Sequence, residues 1–110
     1  MNNFETTLLI TPDISSSKLK SIEKDFENLI KEMGGDIKGK EDWGLRDLSY
    51  KIKNAKKAFY YFFQIILESN KIQDIKKNLS LNEEIMRYLF IKVDKHENLP
   101  TIILKNSGKE

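Results

Sequence analysis

The sequence predicts an α+β fold in which a four-stranded antiparallel sheet carries two helices on one face. Apolar side chains alternate along residues 4–10, as they do in a strand with one buried face. They then recur every three or four residues along 15–35, as they do on one side of a helix. Three later apolar stretches, 36–53, 58–68 and 85–93, indicate strands, and a second helical pattern separates the last two. The resulting order, βαββαβ, is that of the ferredoxin-like fold.

The first strand and the first helix have the clearest patterns. The strand "FETTLLI" ends before Pro12, and one of its faces carries Phe4, Thr6, Leu8 and Ile10. The helix that follows has a single apolar stripe, made of Leu19, Ile22, Phe26, Leu29, Ile30 and Met33. Serines at 15–17 can cap its start, and Gly34 and Gly35 can end it.

The stretch "WGLRDLSYKI" (43–52) predicts a kinked second strand. Before Arg46 the larger apolar side chains stand at odd positions, and after it they stand at even positions. Because alternate residues of a strand face opposite sides, this change of parity needs a bulge, which Gly44 favours. We therefore expect Trp43 and Leu45 to serve one surface, and the core to receive Leu48, Tyr50 and Ile52.

The next part of the chain predicts a hairpin, a second helix and a last strand. Residues 54–57, "NAKK", predict the turn, and 58–68 are apolar enough for a central strand with both faces covered. Ser69 and Asn70 can cap the second helix, whose buried face carries Ile72, Ile75 and Leu79. The last strand is expected to place on one face Met86, Tyr88 and Phe90, and on the other Ile85, Leu89, Ile91 and Val93.

One domain is expected, because 110 residues are enough for a single modest core. We assign the ferredoxin-like domain to residues 1–93. The end of the chain is mostly polar, and its apolar patch "LPTIILK" (99–105) has too few neighbours to form an element. Residues 94–110 are therefore expected to form a flexible C-terminal tail that is ordered only when something binds it.

Composition favours a globular protein of the cytosol over a membrane or secreted protein. Hydrophobic residues make up 39% of the chain and charged residues 33%, with a net charge of +2. No apolar run approaches the roughly 20 residues that cross a bilayer. The start "MNNFETTLLI" lacks the basic leader of a signal peptide, and the absence of cysteine suits a reducing compartment.

The sequence contains no motif typical of catalysis or of a metal site. It has no glycine-rich phosphate loop, no Ser/His/Asp arrangement and no cysteine nucleophile. His96 is the single histidine, and Glu97 beside it makes a poor metal site. Glu23 and Glu27 lie one helical turn apart among lysines, where a solvated face is expected rather than a catalytic pair. We expect no enzyme activity, no metal, no cofactor and no small-molecule substrate.

Three features of the sequence point to binding. Four lysines among seven residues, Lys51, Lys53, Lys56 and Lys57, can pair with phosphates or protect an edge strand from aggregation. Consecutive aromatic residues at 59–63 can stack on bases, although packing of alternate rings in the core is the simpler interpretation. Arg87 shares a face with Leu89 and Ile91, at the rim of an apolar patch, where it can contact a phosphate, a partner's charge or water.

From about residue 4 to residue 93 the chain resembles the bacterial ribosomal small-subunit protein six family. The strongest match, "WGLRDLSYKI", fits the family pattern of Gly, one residue, Arg or Lys, one residue, Leu, Ala or Ser, Tyr, one residue and Ile. Further matches are Phe4-Glu5, Pro12, "AFYYFFQI" and "LSLNEEIMRYLFIKV". The departures are Phe4 in place of the usual Tyr, Asp47 in place of a neutral or basic residue, and a tail that is not acidic.

The resemblance implies a structural protein of the small ribosomal subunit in the cytoplasm. It implies binding to the central domain of the small-subunit ribosomal RNA together with small-subunit protein eighteen, with no membrane involved. Carried to this chain, it implies phosphate or ribose contacts at Arg46, Lys53, Lys56, Arg87 and Lys92. The partner-facing or edge surface is expected to include Trp43, Leu45, Leu48 and Tyr50.

Two other interpretations compete with this one. A ferredoxin-like interaction or dimerisation module without nucleic acid would pair its open sheet face with another sheet. A small hydrolase of the acylphosphatase type is disfavoured, because that chemistry needs an anion-cradling loop with an arginine. The loop "TPDISSS" after the first strand contains neither glycine nor arginine.

Overall fold

The computed structural model describes residues 1–96 and confirms the predicted order βαββαβ. The strands are β1 (Asn2–Ile10), β2 (Asp36–Ile52), β3 (Ala55–Leu67) and β4 (Ile85–Val93). The helices are α1 (Ser16–Glu32) and α2 (Ile72–Ser80), and a 3-10 turn, Ser69–Lys71, precedes α2. The strands pair antiparallel in the order β2-β3-β1-β4, so β3 and β1 are central and β2 and β4 are the edges.

The main core lies between the two helices and one face of the sheet. As predicted, alternate residues of β1 from Phe4 to Ile10 point to this side, and the apolar stripe of α1 packs on them. The ring centroids of Phe26 on α1 and Phe63 on β3 are 4.6 Å apart, and both rings are buried. We call this side of the sheet the helix face and the other side the open face.

The first helix begins and ends at the predicted signals. The hydroxyl of Ser15, the N-cap, accepts a hydrogen bond from the backbone N–H of Lys18 at 3.3 Å. Gly34 follows the last turn with a φ of +84°, a left-handed conformation that glycine adopts without strain. The chain can therefore reverse at this point and enter β2.

The start of the second helix differs from the prediction. Ser69 and Asn70 do not cap α2, because they form the 3-10 turn and Lys71 takes the N-cap position without a side-chain hydrogen bond. The hydroxyl of Ser69 instead accepts a hydrogen bond from the side-chain amide of Asn2. The predicted buried positions of α2 are confirmed, namely Ile72, Ile75 and Leu79.

Charged side chains connect α1 to the edge strand β2. The Nζ atom of Lys40 lies 2.9 Å from Glu27 Oε2 and 3.2 Å from Glu23 Oε2. The hydrogen bond with Glu27, aided by Glu23 and opposed by partial burial, raises the pKa of Lys40. The two glutamates that the sequence assigned to a solvated face therefore form ion pairs with a lysine of the sheet.

The first residues of the predicted tail contact the sheet. The side-chain amide of Asn3 donates to the carbonyl oxygen of Asp94 at 3.0 Å. His96 Nε2 lies 3.1 Å from the carbonyl oxygen of Ile65. The rest of the predicted tail, 97–110, lies outside the described residues, so the boundary at residue 93 stays a prediction.

We expect Gly35→Ala to destabilise the fold far more than Gly34→Ala. A Cβ atom at Gly35 would lie 2.5 Å from the carbonyl oxygen of Ile66 and 2.8 Å from Leu67 Cδ1, whereas at Gly34 it would meet nothing within 4 Å. The first change should cost about 3 kcal/mol through overpacking against backbone, and the second about 1 kcal/mol through left-handed strain. Urea unfolding measures both, and equal losses would contradict the close approach at Gly35.

We expect Tyr61→Phe to remove part of the loss of stability at alkaline pH. Burial, with smaller contributions from Glu23 and Asp42, raises the pKa of Tyr61 to about 12 from 10.0. Because the raised pKa favours the neutral phenol, the native chain should lose about 2 kcal/mol between pH 10 and 12 through this group. Urea unfolding across that range should show a shallower decline for the variant, and parallel curves would refute the assignment.

Candidate functional site

The two longest strands continue beyond the rest of the sheet as a hairpin. The ladder between β1 and β3 ends at the pair Ile10–Phe59, and residues 46–58, which we call the arm, pair with each other beyond it. Ile52 lies opposite Ala55, and the two residues between them, Lys53 and Asn54, have φ values of 47° and 67°. Positive φ at both central residues is the requirement of a type I′ hairpin turn.

The predicted turn at 54–57 is therefore wrong, since β3 already begins at Ala55. Asn54 tolerates the left-handed conformation, so a two-residue turn can form here without glycine. Lys53, which the sequence placed at the end of a strand, thus becomes the outermost residue of the arm together with Asn54.

The arm concentrates positive charge. It carries one acid, Asp47, and five basic residues, Arg46, Lys51, Lys53, Lys56 and Lys57. Lys57 Nζ lies 3.7 Å from Asp47 Oδ1, so the negative charge of Asp47 is partly neutralised by a lysine within the arm. Lys53 and Lys56 are exposed near the turn, where they can contact a large anionic partner.

A bulge at the base of the arm confirms the role predicted for Gly44. Asp42 lies opposite Tyr61 and Gly44 opposite Tyr60, so Trp43 is the extra residue of β2. Gly44 has a φ of +74°, and its backbone N–H donates to Asp42 Oδ1 at 2.8 Å. A Cβ atom at this position would meet nothing within 4 Å, so lack of space does not explain the glycine. The left-handed backbone conformation does explain it, because glycine adopts that conformation without strain.

The prediction that Trp43 and Leu45 share a surface is wrong. The indole of Trp43 stacks on the open face against Phe62, with centroids 5.1 Å apart and planes at 12°, and against Tyr60 at 6.3 Å and 24°. Leu45 pairs with Phe59, whose ring packs on the main core. The side chain of Leu45 therefore lies on the helix face, and Leu45 is 47% exposed. The bulge separates them, since it places Trp43 and Gly44 on the same side.

The prediction that the later residues of β2 enter the main core is also wrong. Leu48 and Ile52 pack on the open face against a second cluster that consists of Leu9, Ala58 and Met86. Tyr50 is 71% exposed. After the shift at Gly44, Arg46 lies opposite Ala58 on the open face, and regular alternation along β2 carries Leu48 to the same side.

The edge strand β4 contains a bulge that the sequence did not indicate. Leu9 lies opposite Arg87 and Ile10 opposite Ile85, so Met86 is the extra residue. Ile85 therefore joins the main core and Met86 the second cluster, which reverses the prediction for this pair. From Arg87 onward the predicted alternation is confirmed, with Leu89 and Ile91 on the open face and 50% and 58% exposed.

The arm and β4 border a cleft on the open face. Its volume is about 200 Å³, and its lining consists of Thr7, Leu9, Leu48, Ser49, Tyr50, Ile52, Tyr60, Arg87 and Leu89. The floor is largely apolar, while Arg87 brings a positive charge to the β4 side and Tyr50 a phenol to the arm side. The cleft is thus suited to an apolar side chain of a partner with a polar group beside it.

Four of the five predicted RNA-contacting residues lie around the arm and the cleft. Lys53 and Lys56 are near the turn, Arg46 is at the base of the arm, and Arg87 borders the cleft. Lys92 lies elsewhere, because it pairs with Phe4 on the helix face, five residues beyond Arg87 and roughly 17 Å along the strand. Those four cations can contact one continuous partner, whereas Lys92 would need a separate contact.

Sequence reasoning missed Glu41, which is only 8% exposed. Its Oε1 accepts a hydrogen bond from the indole Nε1 of Trp43 at 2.9 Å. The Nε of Arg46 donates to the backbone carbonyl of Trp43 at 3.0 Å. The signal was available, since residues 41 and 43 are two apart and side chains two apart on a strand share a face.

Residues 1–96 contain no helix that is long and apolar enough to span a membrane. Over the same range there is no group of three or more His, Asp or Glu side chains that could hold a metal ion. What the described part of the chain offers is a basic arm beside an uncovered apolar face. Fold and surface together define a small ferredoxin-like binding protein.

Comparison with known proteins identifies the family. The family model described as "Ribosomal protein S6" matches residues 3–92. Small ribosomal subunit protein bS6 of Rickettsia prowazekii is 42% identical over 110 residues, which span all of this chain and 91% of the relative. The bS6 protein of Rhodospirillum centenum is 34% identical over 106 residues, 96% of this chain and 65% of the relative. The chain therefore belongs to the ribosomal protein S6 family.

A solved structure supports the fold independently. The crystal structure of 30S ribosomal protein S6 from Thermotoga maritima superposes with a TM-score of 0.80, at 17% identity, over 98% of this chain and 94% of that one. Family membership makes the chain a small-subunit ribosomal protein, associated with ribosomes in the cytoplasm. The family is structural rather than catalytic.

We expect Lys53→Asn to stabilise the arm. Lys53 has a φ of 47°, and asparagine adopts this left-handed conformation more readily than lysine does. The gain should be about 0.5 kcal/mol in urea unfolding. The matched control is Lys56→Asn, which makes the same chemical change within β3 and should give no gain, because asparagine is disfavoured in strands. Equal effects of the two changes would contradict the proposed turn.

Proposed function

We propose that the chain binds the central domain of the small-subunit ribosomal RNA jointly with small-subunit protein eighteen. The observation that carries the proposal is the basic arm, which projects beyond the sheet and borders an apolar cleft. RNA and protein require different chemistry from a binding surface, and this molecule presents both kinds next to each other. The proposed role is to position the two partners, and it includes no catalytic step.

The proposed RNA surface consists of positively charged side chains at the end and at the base of the projecting arm. Lys53 and Lys56 approach phosphates from the end of the arm, while Arg46 and Arg87 contact phosphate or ribose nearer to the sheet. Release of the counterions condensed on the RNA supplies free energy for such contacts and makes them sensitive to salt. Lys92, on the helix face of β4, provides a second and separate contact.

The proposed partner surface uses the open face. Trp43, Leu48 and Tyr50 belong to this side of the arm and its base, and the exposed Leu89 and Ile91 extend the apolar surface along β4. Leu45 faces the other way from the same edge strand, so protein eighteen contacts it only by reaching around β2. Burial of the apolar side chains supplies affinity that salt does not weaken.

An interaction module without nucleic acid is the second candidate function. The apolar side chains left on the open face favour it, since exposed patches of this kind mark interfaces with other proteins. Under this alternative the lysines of the arm protect an edge strand and contact no phosphate. Affinity for RNA and its dependence on salt separate the two functions.

Changing Lys53, Lys56 and Arg87 together to Glu should abolish binding to a central-domain ribosomal RNA fragment in the presence of protein eighteen. The native chain should lose affinity steeply as salt rises, because each phosphate contact contributes roughly 0.7–0.9 to the slope of log K against log salt. Filter binding across a salt series measures affinity and slope together.

The control changes Lys20, Lys24 and Lys77 to Glu, which alters the net charge equally but on the exposed surface of the helices. This variant should bind the RNA nearly as well as the native chain. If both triple variants lose affinity equally, charge acts without a defined site. If the arm variant keeps the native affinity and slope, the RNA surface is placed wrongly, and the interaction module becomes the better account.

A further inference from the structure

The indole of Trp43 is held in one orientation on the open face. Its Nε1 donates to Glu41 Oε1 at 2.9 Å, and one of its faces is stacked on Phe62 at an angle of 12°. Its backbone carbonyl accepts a hydrogen bond from Arg46 Nε at 3.0 Å. Both ends of the residue, the ring and the main chain, are therefore fixed by neighbouring side chains.

The hydrogen bond that Trp43 donates to Glu41 fixes the direction of the indole N–H. Trp43 is only half-buried, and an indole N–H on an open sheet face could bond to water. Glu41, a residue that is only 8% exposed, instead directs its carboxylate at the indole, although removal of a carboxylate from water is unfavourable. What this arrangement secures is the direction in which the ring points.

We propose that Glu41 and Arg46 are positioning residues that fix Trp43 as a preformed anchor for small-subunit protein eighteen. The inference rests on the proposed function, and it assigns to Arg46 a role inside the protein in addition to a contact with RNA. Large aromatic side chains are frequent anchors at protein interfaces. An anchor that is ordered before binding loses less conformational entropy when the partner arrives.

The bulge adds Arg46 to this arrangement. Glu41 and Trp43 share the open face because side chains two apart on a strand do, and the indole lies over Phe62 and Tyr60. In a regular strand without the bulge the register after Asp42 would shift by one, and Arg46 would leave the open face. The bulge at Gly44 thus places Arg46 on the side that Glu41 and Trp43 already share.

The test measures binding of the full chain to purified protein eighteen without RNA, together with fluorescence anisotropy of Trp43, the single tryptophan of the chain. Glu41→Leu should lower the anisotropy of the free chain, because the ring gains mobility. It should weaken binding roughly fivefold, the size expected for ordering one large side chain. Glu41→Gln keeps an oxygen acceptor for the indole N–H and should restore most of both values.

Trp43→Phe separates positioning from a general effect on the fold. Phenylalanine retains a ring but has no N–H for Glu41, so adding Glu41→Leu to this variant should change the affinity by less than twofold. Two outcomes would overturn the anchor role alone. In one, Glu41→Leu binds protein eighteen as tightly as the native chain does. In the other, Glu41→Leu weakens binding equally in the native chain and in the Trp43→Phe variant. Absence of binding by the native chain would overturn the proposed function and the anchor role with it.

Discussion

The packing of both helices on a single face of the sheet is the constraint on which the rest of the structure depends. Phe26 of α1 meets Phe63 of β3 at 4.6 Å, and the main core grows around this contact. The sheet still has a second side, which carries Leu9, Met86 and Tyr60. Because a four-stranded sheet cannot bury these residues alone, another part of the molecule or a partner must cover them.

The arm covers part of this second side, and bulges allow it to do so. A bulge increases the local twist of a strand and bends it. With irregularities between Asp42 and Gly44 and again between Asp47 and Ile52, the hairpin directs Leu48 and Ile52 onto Leu9. The coverage stops at the cleft, beyond which Leu89 and Ile91 are exposed.

The sequence was a reliable guide to periodic elements and a poor guide to single-residue irregularities. The alternation in β1 and the stripe of α1 were predicted correctly, because many residues repeat one signal. At Trp43 the neighbouring glycine marked a bulge, but the faces of the later side chains depend on which residue is the extra one, and the glycine does not reveal that. At Met86 no glycine marks the bulge, and the turn at Lys53-Asn54 contains none. The contact between Glu41 and Trp43 requires only that side chains two apart on a strand share a face, whereas the position of Arg46 beside them depends on the bulge.

In the proposed function the arm belongs to both binding surfaces, and this has a thermodynamic consequence. Leu48 and Tyr50 line the cleft from β2, while Lys53 lies in the turn and Lys56 on β3, at the end of the same hairpin. If the partner binds the cleft more tightly in one conformation of the arm, it raises the population of that conformation, and the RNA meets the lysines of the arm in it. By reciprocity, RNA bound at the turn favours the conformation that the partner needs, by the same factor. Joint assembly thus follows from one shared hairpin, without any direct contact between the RNA and the protein partner.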